Sequence, residues 1–500
     1  MPELRRDGFC LCLNLDWMSG EKRLGLALLA AAVLLGILGD LFFHGRPLGV
    51  NVALFALAFV AALAVLLRVG RAPLHQGRRW MALPLLAFAF AFLWHTSTLL
   101  VATNLLAIAG AVTLGALRRT QPSPVRSGVG DYAAAGASAG FAALGGAIVL
   151  LQRDVPWSEA QEALRGTRSA SIARGVAIGL PLVLLFGGLF VAADAVFQRL
   201  VSSAIPSVPH LGTHLLFACA IAWPAVGLLR DLVASREDAR SLPADKLLAR
   251  RFSLGATEVA TALGALVGLF AIFVAVQARY FFGGRSLVEA REHLSYATYA
   301  RHGFFELVAV SALVLVVIVG ANALVRSRIV RALSVVLVAL ELVVAVSALQ
   351  RLRLYEHEYG LTELRVWTTG VVLWLMCVFV WLSVTTLRGR GRFAVGAVVL
   401  GFAATAALNV LSPDALIART NLSRPHLDTA YLARLSDDAV PTLVARLPTL
   451  RPDLRADLAG RLLARSEDTG GVLGWNASRS RAQDVLRAHR AELRRFARSR

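Results

Sequence analysis

The sequence predicts an all-α fold: a polytopic transmembrane helical bundle of about eleven spans, with a twelfth candidate, followed by a C-terminal soluble helical tail. Three observations predict it. Of the 500 residues, 57% are hydrophobic and 17% charged, and the mean hydropathy of +0.63 is well above that of a water-soluble domain. The apolar residues fall into separate blocks of about 20, each long enough at 1.5 Å per residue to cross a hydrocarbon core of about 30 Å. Basic residues flank these blocks, and 50 of the 52 are Arg, with Lys only at Lys22 and Lys246. The formal net charge of +20 is therefore read as membrane topology, and no nucleic-acid motif accompanies it.

The chain divides into an N-terminal segment 1–23, a membrane domain 24–411 and a tail 412–500. Residues 1–17 read as a start-site artefact, because Met18 opens an ordinary beginning, MSGEKRLGLALLAAA. Spans are expected at 24–43, 49–67, 80–94, 98–117, 175–193, 211–229, 252–277, 304–324, 329–349, 367–387 and 393–411. The first lacks a small-residue cleavage site and is read as a retained helix. The run 80–117 is too long for one span, so it breaks at the polar turn His95, Thr96 and Ser97, with a re-entrant pair as the alternative.

The twelfth candidate, 132–151, is built largely from Ala and Gly, which add little transfer free energy. Charge counting decides its place. If it does not span and the N-terminus is cytoplasmic, the inner loops hold 27 Lys and Arg and the outer loops 9. If it spans, the balance becomes 19 against 17, and the positive-inside bias disappears. The segment is therefore expected at the cytoplasmic interface and the tail on the extracytoplasmic side. Within the tail, apolar periodicity predicts helices at 427–435, 437–447, 453–465 and 478–496, with a Gly-rich loop at 469–475; a HEAT-like stack would fit.

Ionisable residues inside spans cost about 2.5–3.5 kcal/mol at a helix centre, so each is a functional candidate. Asp40, Asp194, Glu258 and Glu306 fall near span ends and Glu341 falls deep. The ordinary alternative for the first four is an interfacial, solvated or Arg-paired carboxylate. His210 and His214 stand four apart, one helical face, and are weak zinc candidates whose further ligands would come from His302, Glu306, Glu356, His357 or Glu358. No cofactor motif stands in a supporting context, and no catalytic residue is assigned. Cys219 and Cys377 lie in apolar spans, and Cys10 and Cys12 in the leading segment, so no disulfide framework is expected. The outer loops concentrate unusual sequence: YFFGG at 280–284, YARHGFFEL at 299–307 and YGLTELR at 359–365. These are either an aromatic anchoring belt or an external docking surface using Arg301, Glu306, Tyr359, Glu363 and Arg365.

Taken with GDLFFHGRPLG at 39–49, ADAVF at 193–197, PDALIARTNLSR at 413–424, LDTAYLARLSDDAVP at 427–441 and the Trp475, Asn476, Ser478, Arg479 cluster, these motifs resemble a bacterial multi-pass family of unknown function, the one numbered forty-one seventy-three. The resemblance implies a multi-pass envelope protein and transfers no catalytic residue. The expectation is a non-enzymatic sensing, scaffolding or partner-docking protein of the bacterial inner membrane. Its partners would be the lipid bilayer and an envelope protein or external ligand, without nucleic acid. A secondary transporter using Asp40, Asp194, Glu258 and Glu341 is the first alternative, and an envelope enzyme acting on a lipid-linked substrate the second.

Overall fold

The structure, a computed structural model, describes residues 20–71, 76–117, 123–155, 194, 208–234, 255–282, 304–325, 327–388, 392–424, 427–465 and 471–498. Among these the chain is helical without strands. The longer helices are α1 (Gly20–Phe43), α2 (Val50–Val69), α3 (Gln76–Ala91), α4 (Thr98–Ala116), α5 (Val129–Val149), α6 (Val208–Ala234), α7 (Ala256–Phe282), α8 (Phe304–Leu324), α9 (Arg328–Tyr359), α10 (Glu363–Arg388) and α11 (Phe393–Leu411). A single π turn, Leu150–Asp154, extends α5. Among the described residues ten stretches are long and apolar enough to cross a membrane, and the shorter α3 falls below that length. Their lipid-ready surfaces carry exposed Leu34, Ile37, Leu83, Leu106, Leu216 and Val316. Apolar side chains turned outward from long helices have no favourable solvent but hydrocarbon; the chain is a multi-pass membrane protein.

The expected spans match these helices except in three places. The stretch 80–94 is a helix of only 16 residues, Gln76–Ala91, with Pro84 inside it, and it packs on α4 as a hairpin about the His95–Ser97 turn. The segment 132–151 is a continuous helix, part of the 26-residue apolar stretch Val129–Asp154. The expected span 175–193 lies outside the described residues.

The chain forms two compact units. The first comprises Met1–His44, Ala58–Leu74 and Ala139–Ser235. Its helices cross at glycines, where absence of a side chain lets backbones approach. A Cβ on Gly227 of α6 would stand 2.0 Å from the Ala142 carbonyl oxygen of α5, and one on Gly146 would stand 2.7 Å from Gly227 Cα. Beside this crossing Trp223 Nε1 donates to the Leu144 carbonyl at 2.8 Å, and Arg230 pairs with Asp154. On α1, Gly36 and Gly39 face Ala218 and Ile221 of α6 in the same manner.

The second unit comprises Gly45–Leu57, His75–Ser138 and Arg236–Arg500. Helices α7 to α10 share a core built on Leu263, Ile318, Val330, Leu337 and Phe379. Helices α4 and α11 are joined by reciprocal amide bonds, Asn104 Nδ2 to Asn409 Oδ1 at 3.2 Å and Asn409 Nδ2 to Asn104 Oδ1 at 2.8 Å. Each amide satisfies the other where lipid offers no partner.

The tail folds into α12 (Pro413–Asn421), α13 (Thr429–Arg434), α14 (Val440–Arg446), α15 (Pro452–Leu463), α16 (Ala477–Ala488) and α17 (Arg490–Arg498), with 3-10 turns at Asp437–Ala439 and Leu447–Thr449. Pro413 and Pro452 sit in first turns, where the missing N–H costs nothing, and Asp428 caps α13 by accepting from Tyr431 N at 2.9 Å. The expected helix 478–496 is two helices that break at His489. Ile417, Leu432, Leu443, Leu458, Leu462 and Leu493 build a core of the tail's own, joined by Val366 at the start of α10.

Candidate functional site

The membrane helices of the second unit end in loops that the tail holds through buried polar groups. Central to this is the turn between α3 and α4. Asp438, only 5% exposed in its side chain, accepts from Thr96 N at 3.1 Å and Ser97 N at 3.2 Å. It also pairs with His95 Nδ1 at 3.1 Å and accepts from Ser436 Oγ at 3.1 Å. In return Asp437 N donates to Thr96 Oγ1 at 3.1 Å. Burial pushes the Asp438 carboxyl up, but hydrogen bonds from His95, Ser478 and the Thr96 amide outweigh it and hold the group below the usual carboxylate range.

Asn476 completes the joint. Its Oδ1 caps α16, accepting from Ser478 N at 2.9 Å and Arg479 N at 3.1 Å, while its Nδ2 donates to the carbonyls of Phe92 at 2.6 Å and His95 at 3.0 Å. Ala477 N reaches the Leu93 carbonyl at 2.7 Å. The free carbonyls past the end of α3 thus meet the free amides opening α16, two complementary sets of orphan groups and opposite dipole ends. The loop before α2 is held likewise: Val50 N and Asn51 N donate to the carbonyls of Trp475 at 3.0 Å and Leu473 at 2.9 Å.

A third contact explains YGLTELR. Gly360 has φ +81°, and a Cβ there would meet Asn421 Oδ1 at 2.8 Å, so conformation and space both require glycine. Asn421 brackets the next residue, accepting from Leu361 N at 2.8 Å and donating to its carbonyl at 2.8 Å. Glu363 N donates to the Tyr431 hydroxyl at 3.0 Å, Arg424 to the Glu356 carbonyl at 2.5 Å, and Arg365 to the Gly360 carbonyl. The Arg365 guanidinium also lies 4.3 Å from the Tyr355 ring centroid. Glu363 and Arg365 are therefore engaged with the chain's own loop and tail, while Tyr359 remains exposed. Beneath them Asp414 is fully buried. Its Oδ2 accepts from Ser436 N at 3.1 Å, its Oδ1 has no hydrogen-bond partner among the described residues, and burial pushes its carboxyl up.

A separate cluster stands within the first unit. His214 Nδ1, near the start of α6, lies 2.9 and 2.7 Å from the two Asp40 carboxylate oxygens in the last turn of α1. His44 follows one turn after Asp40, with its Nδ1 3.3 Å from Asp40 Oδ1 and its ring stacked on His214 at 4.1 Å between centroids. Sequence reasoning named Asp40 and His214 but did not join them, and it missed His44. The available signal was the Asp40-x-x-x-His44 spacing, which sets both on one face across the helix end.

Of the remaining described candidates, Glu258, Glu306 and Glu341 belong to the second unit and Asp194 to the first. Glu258 opens α7 and accepts from Gly255 N at 2.8 Å, a local cap. Glu306 is exposed in the first turn of α8. Glu341 is 0% exposed, held by the Ser311 hydroxyl, and Ser311 also donates to the Leu307 carbonyl. Gln277 of α7 accepts from Ser347 and Arg351 of α9. That pairing lies about 28 Å along α7 from Glu258 but about 9 Å along α9 from Glu341, so these two carboxylates occupy different levels. Asp194 is exposed, while its neighbours, Arg301, His302 and the side chain of His210 lie outside the described residues.

The family model for a domain of unknown function, DUF4153, matches residues 82–445. The chain belongs to the DUF4153 family. The resemblance drawn from the motifs pointed to a multi-pass family of unknown function, and its number is corrected from 4173 to 4153. No curated protein matches the chain, and no solved structure does. The DUF4153 match runs from α3 into α14 and so includes the His95–Ser97 turn, Gly360, Asn421 and Asp438.

Proposed function

We propose that this DUF4153 chain is a non-enzymatic protein of the bacterial inner membrane that holds its C-terminal helical domain as a fixed docking platform on the extracytoplasmic face. The buried joint of Asp438 and Asn476 with the α3–α4 turn carries this reading. A domain meant only to be tethered needs no such joint, because each polar group buried there has to be satisfied to avoid a cost of about 1–3 kcal/mol. The charge count supports a cytoplasmic N-terminus and an α5 that lies at the cytoplasmic interface.

The platform's chemistry points to an acidic partner protein. Its last two helices expose Arg481, Arg487, Arg490, Arg494, Arg495 and Arg498, against Asp484 and Glu492. Such a surface steers an anionic partner and loses that advantage in salt. The transporter alternative would require carboxylates sharing one path, and Glu258 and Glu341 of the second unit stand at different levels.

The test is photo-crosslinking in cells from a benzophenone amino acid at Arg487 or Arg494. The expected result is a discrete protein adduct that disappears when Arg490 and Arg495 are both changed to Glu. Absence of any adduct, together with full complementation of a deletion strain by the charge-reversed protein, would refute the platform.

A further inference from the structure

We propose that Asp40, His44 and His214 bind a divalent transition-metal cation, with water completing its coordination. Geometry comes first. Each of the three side chains offers one ligand atom, and all three atoms lie within 4.8 Å of one another. Ligands about 2.1 Å from a tetrahedral cation stand about 3.4 Å apart. The His44 to Asp40 separation of 3.3 Å already fits, and the 2.7 Å between His214 and Asp40 needs only a small opening by the partly exposed imidazole.

The hydrogen-bond inventory gives an independent reason. His44 Nδ1 is a buried atom with no hydrogen-bond partner among the described residues, and its ring is stacked on a second imidazole. A single cation bound by both nitrogens and the carboxylate would give His44 Nδ1 its missing partner, since neutral imidazole and carboxylate are the ligand forms such metals take.

The scaffold suits the task. Asp40 and His44 come from one helix end and His214 from another, and the two helices are held at close range one turn away by Gly36 and Gly39 against Ala218 and Ile221. Fixed backbones limit the reorganisation that binding demands. Side-chain exposures of 33%, 20% and 46% for His44, Asp40 and His214 leave an approach for the ion. The set of one carboxylate and two imidazoles suits zinc, iron or nickel better than calcium or magnesium, which favour all-oxygen shells. Three protein ligands leave a coordination position open. This inference is independent of the docking platform, which involves none of these residues.

The full chain, carrying a tag without histidine, would be placed in lipid nanodiscs, stripped with chelator and titrated with zinc by calorimetry. Cobalt uptake would be followed in parallel by its visible absorption. One equivalent of zinc is expected, with about 100-fold or greater weakening in His214→Gln, His44→Ala and Asp40→Asn, and loss of the intense cobalt bands of a four-coordinate site. His214→Gln alters a half-exposed side chain, so its fold should survive and its binding loss be interpretable. No stoichiometric zinc in the wild-type protein, or undiminished affinity in all three variants, would overturn the site.

Discussion

Asp438→Ala releases the C-terminal helical domain from the α3–α4 turn while leaving the membrane helices inserted. The substitution strands the Thr96 and Ser97 amides and the His95 ring without their acceptor in a buried joint. Hydrogen bonds to a charged group contribute about 1.5–3 kcal/mol each, and removing one partner of a buried charged network costs about 3–5 kcal/mol. The measurement is hydrogen exchange of the intact protein in nanodiscs. Peptides covering 429–465 and 477–488 should lose protection by about two orders of magnitude or more, while α9 and α10 keep theirs. Unchanged tail protection would mean that apolar packing alone holds the joint.

The same network sets the acid response. Because the Asp438 carboxyl is held low when folded, its contribution is present above its unfolded value, about 3.9, and is lost as pH falls through the lower folded value. The tail of the wild-type protein should thus loosen in acid through this group, and Asp438→Asn should flatten that response. Asp414 carries the opposite sign: its carboxyl is pushed up by burial, so its ionisation opposes folding as pH rises from that same unfolded value.

Gly227→Leu should prevent assembly of the first unit. A Cβ there falls 2.0 Å from a backbone oxygen and 3.3 Å from Ala143 Cα, and no rotamer change can move those atoms. Helices α5 and α6 would have to part, which would also break the Trp223 bond to the Leu144 carbonyl. Overpacking costs about 1–3 kcal/mol where side chains can adjust. Against rigid backbone we expect about 3 kcal/mol or more, seen as a lower melting temperature in detergent and poor recovery of folded protein. Gly264→Leu on α7, where a new Cβ meets nothing within 4 Å, is the matched control and should be recovered normally.

The fold class was readable because hydrocarbon enforces a crude and continuous signal, about 20 apolar residues at a time. The α3 stretch was harder: Gln76, Arg78 and Arg79 belong to the helix but carry no apolar signal, and its far end is closed by a tail residue almost four hundred positions away. His489 interrupts an apolar periodicity that runs on across it, so one helix was expected where two stand. The tail motifs were visible as unusual sequence, yet their task was not. Asn476 reads as an ordinary helix cap, and nothing local reveals that its amide nitrogen grips the end of α3. Nor could spacing join Asp40 to His214, because the contact depends on how α1 crosses α6. The short-range pair of Asp40 and His44 is within reach of local spacing, although His44 lies just beyond the predicted span 24–43.

Three loops of the second unit are hydrogen-bonded to the same helical tail and so belong with it on one face of the membrane. In a chain without native cysteines, single cysteines at Arg46, Glu358, Val472 and Arg126 would be labelled in intact cells with a membrane-impermeant thiol reagent. Labelling at the first three positions and protection of Arg126 is the expected result. Labelling that separates Arg46, Glu358 and Val472 from one another would contradict the joint itself, and protection of all three would place the platform in the cytoplasm.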